Sequence, residues 1–331
     1  MKACAKPMKS CAQVNSPQTG ESRGLPAAAI TGATGMLGLV LIRLHLAAGM
    51  PVLALVRPGS PRASRLPVHP LVTVSECPLS ALAAYDGAPP GKYGVFYHLA
   101  WEGTFGSGRD DARLQYANIG YTLDAAELAA RLGCRAFVGA GSQAEYGRAE
   151  GALSPDTPAR PETGYGIAKL AAGRLCALYC RRLGVRHVWA RILSVYGPGD
   201  GENTLVMSVV RSLLRGERPA CTAGEQLWDY LYCDDAARAL MLMGERGRDG
   251  AVYPLGSGEA KPLAEYIRLM RDAVDPSLEV GLGELPYPPG QVMFLKADTA
   301  ALFRDTGFKP AVSFEEGIRR TVDWCREDMG I

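Results

Sequence analysis

At 331 residues the chain is long enough for one large α/β domain with an appended lobe, or for two modest domains, and a sizeable buried core is expected. Thirty-six Lys and Arg balance 34 Asp and Glu for a formal charge of +2, so no overall field recommends nucleic acid or an anionic membrane as partner. Nine cysteines, an odd number with no C-x-x-C pair and no His at ligand spacing, point to reduced cytoplasmic thiols and to no metal site.

Residues 1–24 are polar, carry Lys2, Lys6 and Lys9, and lack the apolar stretch of a secretory signal, so a disordered N-terminal extension is expected there. No later stretch has the uncharged length of a membrane span, which predicts a soluble, cytoplasmic protein. From Ala27 short apolar runs alternate with helical segments: AAAIT, LGLVLIRLHLAAG, PVLALV, LVTVS and GVFYHLA. That is the rhythm of a parallel sheet covered on both faces. Helices are predicted from Leu114 to Leu132 and from Tyr165 to Leu183, with the strand Ala136 to Gly139 between them and HVWARILSV after, so about seven parallel strands are expected before residue 200. Beyond Gly197 the alternation weakens, and the helical runs Leu205 to Leu214 and Asp235 to Gly244 are joined by irregular segments. An amphipathic closing helix is predicted from Ser313 to Cys325, capped by Ser313 with Glu316 three residues on. The expected fold is a Rossmann-type doubly wound parallel sheet over residues 25–196. A smaller C-terminal substrate-binding lobe occupies most of 197–331, with residues 229–235 returning to the first domain.

The segment Thr31-Gly32-Ala33-Thr34-Gly35-Met36-Leu37-Gly38 lies between the first strand and an apolar helix, the context a dinucleotide-phosphate loop requires. Gly32 permits a tight turn, Gly35 lets the backbone approach a pyrophosphate, and Gly38 lets the helix pack close to the sheet. Thr34, Met36 and Leu37 complete the loop at a helix N-terminus, whose N–H groups and dipole favour an anion. The second strand ends in Arg57, where an NAD-binding chain commonly offers an acid to the ribose diol; Arg57 suits a 2′-phosphate instead, so NADP is preferred over NAD.

Tyr165 and Lys169 form Y-x-x-x-K at the start of a helix and so share one face. Ser142 follows the strand from Ala136, at the carboxyl edge of the sheet where open α/β folds bind ligands. The division of work is then plain. Tyr165 is the acid/base, a Lys169 ammonium beside it draws the phenol's pKa down from its ordinary value near ~10, and Ser142 orients the substrate oxygen, with Tyr165 and Lys169 also at the cofactor, the lysine on its nicotinamide ribose.

Together these residues resemble the extended short-chain dehydrogenase/reductase family of sugar-nucleotide epimerases, dehydratases and reductases, over about Ala27 to Asp323. TGATGMLG resembles its glycine loop, FYHLA its fourth strand, GSQAEYG its serine segment, YGIAK its catalytic pair, VYGPGDG the turn after its sixth strand and DYLYCDDAARA its return strand. The resemblance implies catalytic roles for Ser142, Tyr165 and Lys169, and places His98, Ala100 and Asn118 at the cofactor or its neighbourhood. It also implies a homodimer through the helices Asn118 to Leu132 and Tyr165 to Leu183. Against the family's pattern, Gln143 and Ala144 stand where dehydratases carry Asp-Glu, and no Cys occupies position 144, so neither elimination of water nor 3,5-epimerisation is expected. Ser194 and Trp228 replace an Asn and an Arg that commonly meet the substrate diphosphate. Trp228 fills the groove or stacks on a base, and Arg211, Arg215 and Arg238 become the candidates for that diphosphate.

The function expected is hydride transfer at one carbon, C4, of a nucleotide-activated sugar, as a 4-ketoreductase or 4-epimerase. Two other readings stand beside it: an NADPH-dependent reductase of a non-sugar ketone, and a non-catalytic NAD(P)-binding sensor or scaffold.

Overall fold

Fully buried Ala28–Thr31 (β1) leads through the glycine loop into the helix Met36–Ala47 (α1), and the pattern repeats along the chain. The strands Val52–Val56 (β2), Val72–Glu76 (β3) and Val95–His98 (β4) follow, then Ala112–Arg131 (α2), Ala136–Ser142 (β5), Gly164–Leu183 (α3) and Arg186–Ile192 (β6). After these come Ser194–Tyr196 (β7), Leu205–Leu214 (α4), Leu227–Trp228 (β8), Tyr230–Tyr232 (β9), Cys233–Arg246 (α5) and Ala251–Leu255 (β10). Lys261–Pro262 (β11), Leu263–Val274 (α6), Ala300–Thr306 (α7) and Phe314–Met329 (α8) complete the chain. This computed structural model describes residues 26–331, and the predicted N-terminal extension lies outside the described residues.

The central sheet runs β10-β6-β5-β4-β1-β2-β3, with every pair parallel. Alternation along its strands separates two cores. Ala28, Ile30, Val52, Ala54, Val95 and Tyr97 face one side with α1 and α5, while Ala29, Leu53, Leu55, Phe96 and Phe137 face the other with α2 and α3. The strands are apolar along their length because both faces are covered. β3 is the exception: an edge strand, with three of its five residues exposed, it alternates with polar Thr73, Ser75 and Glu76.

Seven strands precede residue 200, as expected, but β7 pairs with β9 outside the central sheet, whose seventh strand comes later in the chain. It is β10, which pairs Ala251 with Val188 through Leu255 with Ile192 from within the stretch where the alternation weakens. Five residues between glycines carry too little periodicity to announce a strand. β9 lies parallel to β7, and α5, which follows it directly, packs on α1.

In the C-terminal part, α4, α6 and α8 pack together around an aromatic cluster in which Phe314 meets Tyr266 at 4.5 Å and Tyr196 at 4.8 Å between ring centroids. Ser313 caps α8 by accepting the Glu316 N–H at 3.2 Å, as the sequence predicts, and the helix runs four residues past the predicted end. Among the described residues no helix is long and apolar enough to cross a membrane.

Candidate active site

The glycine loop owes its shape to backbone contact. Gly32 has φ +71°, and a Cβ there would lie 2.8 Å from the Ala100 nitrogen; one on Gly38 would lie 2.7 Å from Ala33 Cα. Gly35 differs. Its Cβ would meet only the Gly32 carbonyl oxygen, at 3.4 Å, so the protein itself does not demand a glycine there. Gly35 borders open space at the start of α1, where no side chain caps the helix and no acid occupies the first turn. Met36 and Leu37 form that turn. The cleft in front, about 590 Å³, is lined by Gly32, Thr34, Gly35, Arg57, Ala100 and Trp101 among others. A cradle that leaves N–H groups and dipole unopposed beside an open face fits a dinucleotide pyrophosphate.

Of the three residues placed near the cofactor by resemblance, Ala100 lines this cleft while His98 and Asn118 stand behind its rim. The His98 ring joins β4 to β1 through Thr31 Oγ1 at 2.9 Å, and burial with Lys169 nearby pushes its pKa down to about 3, so it is neutral. Asn118 grips the backbone of Glu102, accepting its N–H at 2.9 Å and donating to its carbonyl at 3.0 Å. That grip holds the loop bearing Ala100 and Trp101.

Ser142, Tyr165 and Lys169 come together as predicted from their spacing. Ser142 ends β5 with its Oγ accepting the Ala144 N–H at 3.2 Å, and α3 starts from Thr163, which caps the Gly166 N–H at 3.1 Å. Burial pushes the Tyr165 phenol up from its ordinary pKa; the hydrogen bond with Ser142 and the Arg109 charge draw it back, and Glu145 adds to the rise. Lys169 is 3% exposed, and its Nζ donates to the Ala140 carbonyl at 2.5 Å beneath the Trp101 ring, 3.8 Å from the centroid. Burial lowers its pKa to about 7, with Glu145 opposing, so the lysine is only partly charged near neutrality. Burial thus works against the Lys169 ammonium expected from Y-x-x-x-K, and Glu145 works for it.

Three residues of the site escape the sequence reading. Trp101 is held by Gln115, its Nε1 donating to Oε1 at 2.9 Å, and stands edge-on to Tyr165. Arg109 lays its guanidinium over the Tyr165 ring, 4.4 Å from the centroid. Both sit in a glycine-rich stretch without periodicity, and no motif marks them. Glu145, 1% exposed, accepts the Ser142 N–H at 2.8 Å and the Trp189 Nε1–H at 2.9 Å, and its other oxygen accepts Arg191 Nε at 2.7 Å. Only its place in the turn after Ser142 hints at this. The turn therefore has one carboxylate, committed to Arg191, and Gln143 and Ala144 supply none.

A second cleft of about 650 Å³ lies in the C-terminal lobe among β7, α4 and α6. Its two departures from the family pattern meet each other: Trp228 Nε1 donates to Ser194 Oγ at 2.7 Å. Among the described residues, no Lys, Arg or His lines it, and its one carboxylate, Asp200, is raised to about 6 by burial against the Gly201 and Thr204 hydrogen bonds. The three arginines expected at a diphosphate are engaged elsewhere: Arg211 with Asp328, Arg215 with Glu217, Arg238 with Asp235. None lines the cleft.

The model of the NAD dependent epimerase/dehydratase family matches residues 28–256. This chain belongs to that family. It is 28% identical to the dTDP-glucose 4,6-dehydratase of Streptomyces niveus over 204 residues, 61% of this chain and 60% of that one. To the Salmonella typhimurium dTDP-glucose 4,6-dehydratase it is 28% identical over 171 residues, 50% of this chain and 47% of the other. The match thus spans about half to three-fifths of these relatives. In fold it resembles the UDP-N-acetylglucosamine 4-epimerase of Methanobrevibacter ruminantium M1, with a TM-score of 0.83 at 22% identity, over 92% of this chain and 99% of that one. The seven-stranded parallel sheet described above matches that epimerase fold.

Proposed function

We propose that the protein is an NAD(P)-dependent oxidoreductase that transfers hydride at one carbon, C4 of a nucleotide-activated sugar, as a 4-ketoreductase or 4-epimerase. The observation that carries this reading is the meeting of Ser142, Tyr165 and Lys169 against Trp101, a wall of the glycine-loop cleft. The loop of Gly32, Gly35 and Gly38 would hold the dinucleotide. When bound, a nicotinamide supplies or accepts the hydride. Tyr165 gives a proton to the ketone oxygen in reduction and takes it from the hydroxyl in oxidation, while the Ser142 hydroxyl orients that oxygen. The sugar nucleotide is supported by the family and by its dTDP-glucose and UDP-sugar relatives. Dehydration is not carried over from the dehydratases, because the turn after Ser142 offers no free carboxylate. The same reading makes the protein a homodimer through α2 and α3, whose outer faces leave Tyr116, Ile167, Leu175 and Leu178 exposed.

One observation favours a second reading, reduction of an uncharged non-sugar ketone: the lobe cleft has no cation in its lining to meet a diphosphate. Purified protein is to be incubated with NADPH or NADH and a panel of 4-keto and hydroxyl sugar nucleotides and uncharged ketones, with products read by mass spectrometry. Reduction or epimerisation of a sugar nucleotide with its C6 unchanged is expected. Turnover of uncharged ketones alone moves the function to the second reading, and a 4-keto-6-deoxy product from a 6-hydroxy hexose nucleotide would overturn the exclusion of elimination.

Arg57, exposed at the end of β2 and lining the cofactor cleft, supports NADP over NAD. Arg57→Ala is expected to weaken NADPH about tenfold, the loss of one charge-assisted contact, and to leave NADH unchanged by fluorescence titration. Equal affinities in the wild type would remove the argument from Arg57.

A further inference from the structure

We propose that Glu145 is a positioning residue for Ser142: its carboxylate, set between the end of β5 and the side chains of β6, fixes the serine so that its hydroxyl presents a proton to the substrate oxygen. The proposal rests on the reading of Ser142 as the residue that orients that oxygen.

The place for this carboxylate is made by side chains that β5 lacks. In the parallel register Gly139 stands beside Trp189 and Gly141 beside Arg191, and residues two apart on a strand share one face of the sheet. A Cβ on Gly139 would strike the Trp189 indole, and one on Gly141 would strike both the indole and the Glu145 carboxylate. From the other side, a Cβ on Gly173 of α3 would lie 2.7 Å from Trp189 Cε2. The glycines therefore open a socket that Trp189 fills from β6 and Glu145 enters from the turn after β5.

Inside the socket both carboxylate oxygens are engaged. One accepts the Ser142 and Trp189 N–H groups, and the other accepts Arg191 Nε. Arg191 is buried in turn, with its guanidinium 4.3 Å from the centre of the Tyr146 ring. Glu145 cannot leave without stranding that cation, so it is held against the serine. Ser142 is thus gripped at two points, its N–H by Glu145 at 2.8 Å and its Oγ by the Ala144 N–H at 3.2 Å. Because the oxygen already accepts a bond there, the hydroxyl hydrogen is the part left to offer, and a ketone or sugar oxygen takes it.

A double-mutant cycle tests this. Glu145→Gln keeps the shape but turns an amide N–H either on Arg191 or on the Ser142 and Trp189 donors, so one side of the grip fails. The kcat and KM of the reacting panel member are measured for wild type, Ser142→Ala, Glu145→Gln and the double variant, with thermal unfolding alongside. Ser142→Ala should lower kcat about 10²- to 10³-fold, the usual cost of one positioned donor. Glu145→Gln should lower kcat about 10- to 100-fold with KM within about threefold of wild type, the effect of a displaced group rather than a lost binding contact. In the Ser142→Ala background the same substitution should cost less than about threefold, because no hydroxyl remains to be misplaced. A merely structural role would give the same factor in both backgrounds, and that result overturns the proposal. So does a Glu145→Gln variant within about threefold of the wild-type kcat. Should Glu145→Gln fail to fold, Trp189→Phe, which withdraws one donor from the carboxylate and keeps a ring in the socket, replaces it in the cycle. Its loss of kcat should likewise vanish in the Ser142→Ala background, and an equal loss in both overturns the proposal. Near-normal turnover in Ser142→Ala sinks the catalytic reading of the serine itself, and the proposal with it.

Discussion

Tyr165→Phe is expected to lower turnover by ~10²- to 10⁴-fold, the usual worth of a positioned acid or base, while the fold and cofactor affinity survive. Phenylalanine keeps the ring that Arg109 covers at 4.4 Å and that Trp101 meets edge-on at 6.1 Å, so the packing loses only a hydroxyl. What disappears is the proton donor. Turnover with whichever panel member reacts, beside an NADPH fluorescence titration, reads the two effects separately. The pH–rate limb belonging to the phenol should vanish with it. Turnover within about threefold of wild type places the acid elsewhere in the cleft.

Asp229→Ala should produce the largest loss of stability. Asp229 is fully buried, and its carboxylate accepts the Ser257 N–H and Oγ–H at 2.7 Å each and the Gly258 and Ala297 N–H groups at 3.0 Å. Those donors belong to the segment after β10 and to the run before α7, so one side chain between β8 and β9 holds both against the wall of the lobe cleft. Alanine would take this acceptor from four donors: the Ala297 N–H is buried, the Ser257 and Gly258 donors are half-buried, and of these the Ser257 hydroxyl keeps the Glu259 carbonyl at 3.2 Å. At ~1–3 kcal/mol for each unsatisfied group, and with partial relaxation, a loss on the order of 3–5 kcal/mol is expected from denaturant unfolding. Turnover should fall with it, since β8 carries Trp228 into the cleft. A loss below about 1 kcal/mol would mean that water or rearranged backbone serves these donors as well as Asp229 does.

The amino-acid sequence by itself determined the features whose cause is local. Gly32 and Gly38 are legible because close backbone approach leaves no room for a Cβ, and Tyr165 with Lys169 because a helix brings residues four apart onto one face. The unbroken apolar runs at Ala28 to Thr31, Val52 to Val56 and Val95 to His98 announce a sheet buried on both faces, and Ser313 announces its own helix. Only the tertiary structure decided the rest. β10 joins the sheet from the lobe half of the chain, and Glu145 finds Arg191 46 residues away. Arg109 reaches Tyr165 because Asp110 docks its loop on a helix 54 residues further on. Arg211 and Arg238, candidates for a phosphate by sequence, are drawn to Asp328 and Asp235, one across the packed α4 and α8 and the other on the same helix. Lys169 is a cation by its chemistry, yet burial beneath Trp101 lowers its pKa to about 7. Periodicity encodes which face of an element is apolar. The partner that face meets, and the charge state a side chain keeps once buried there, depend on how distant elements stack.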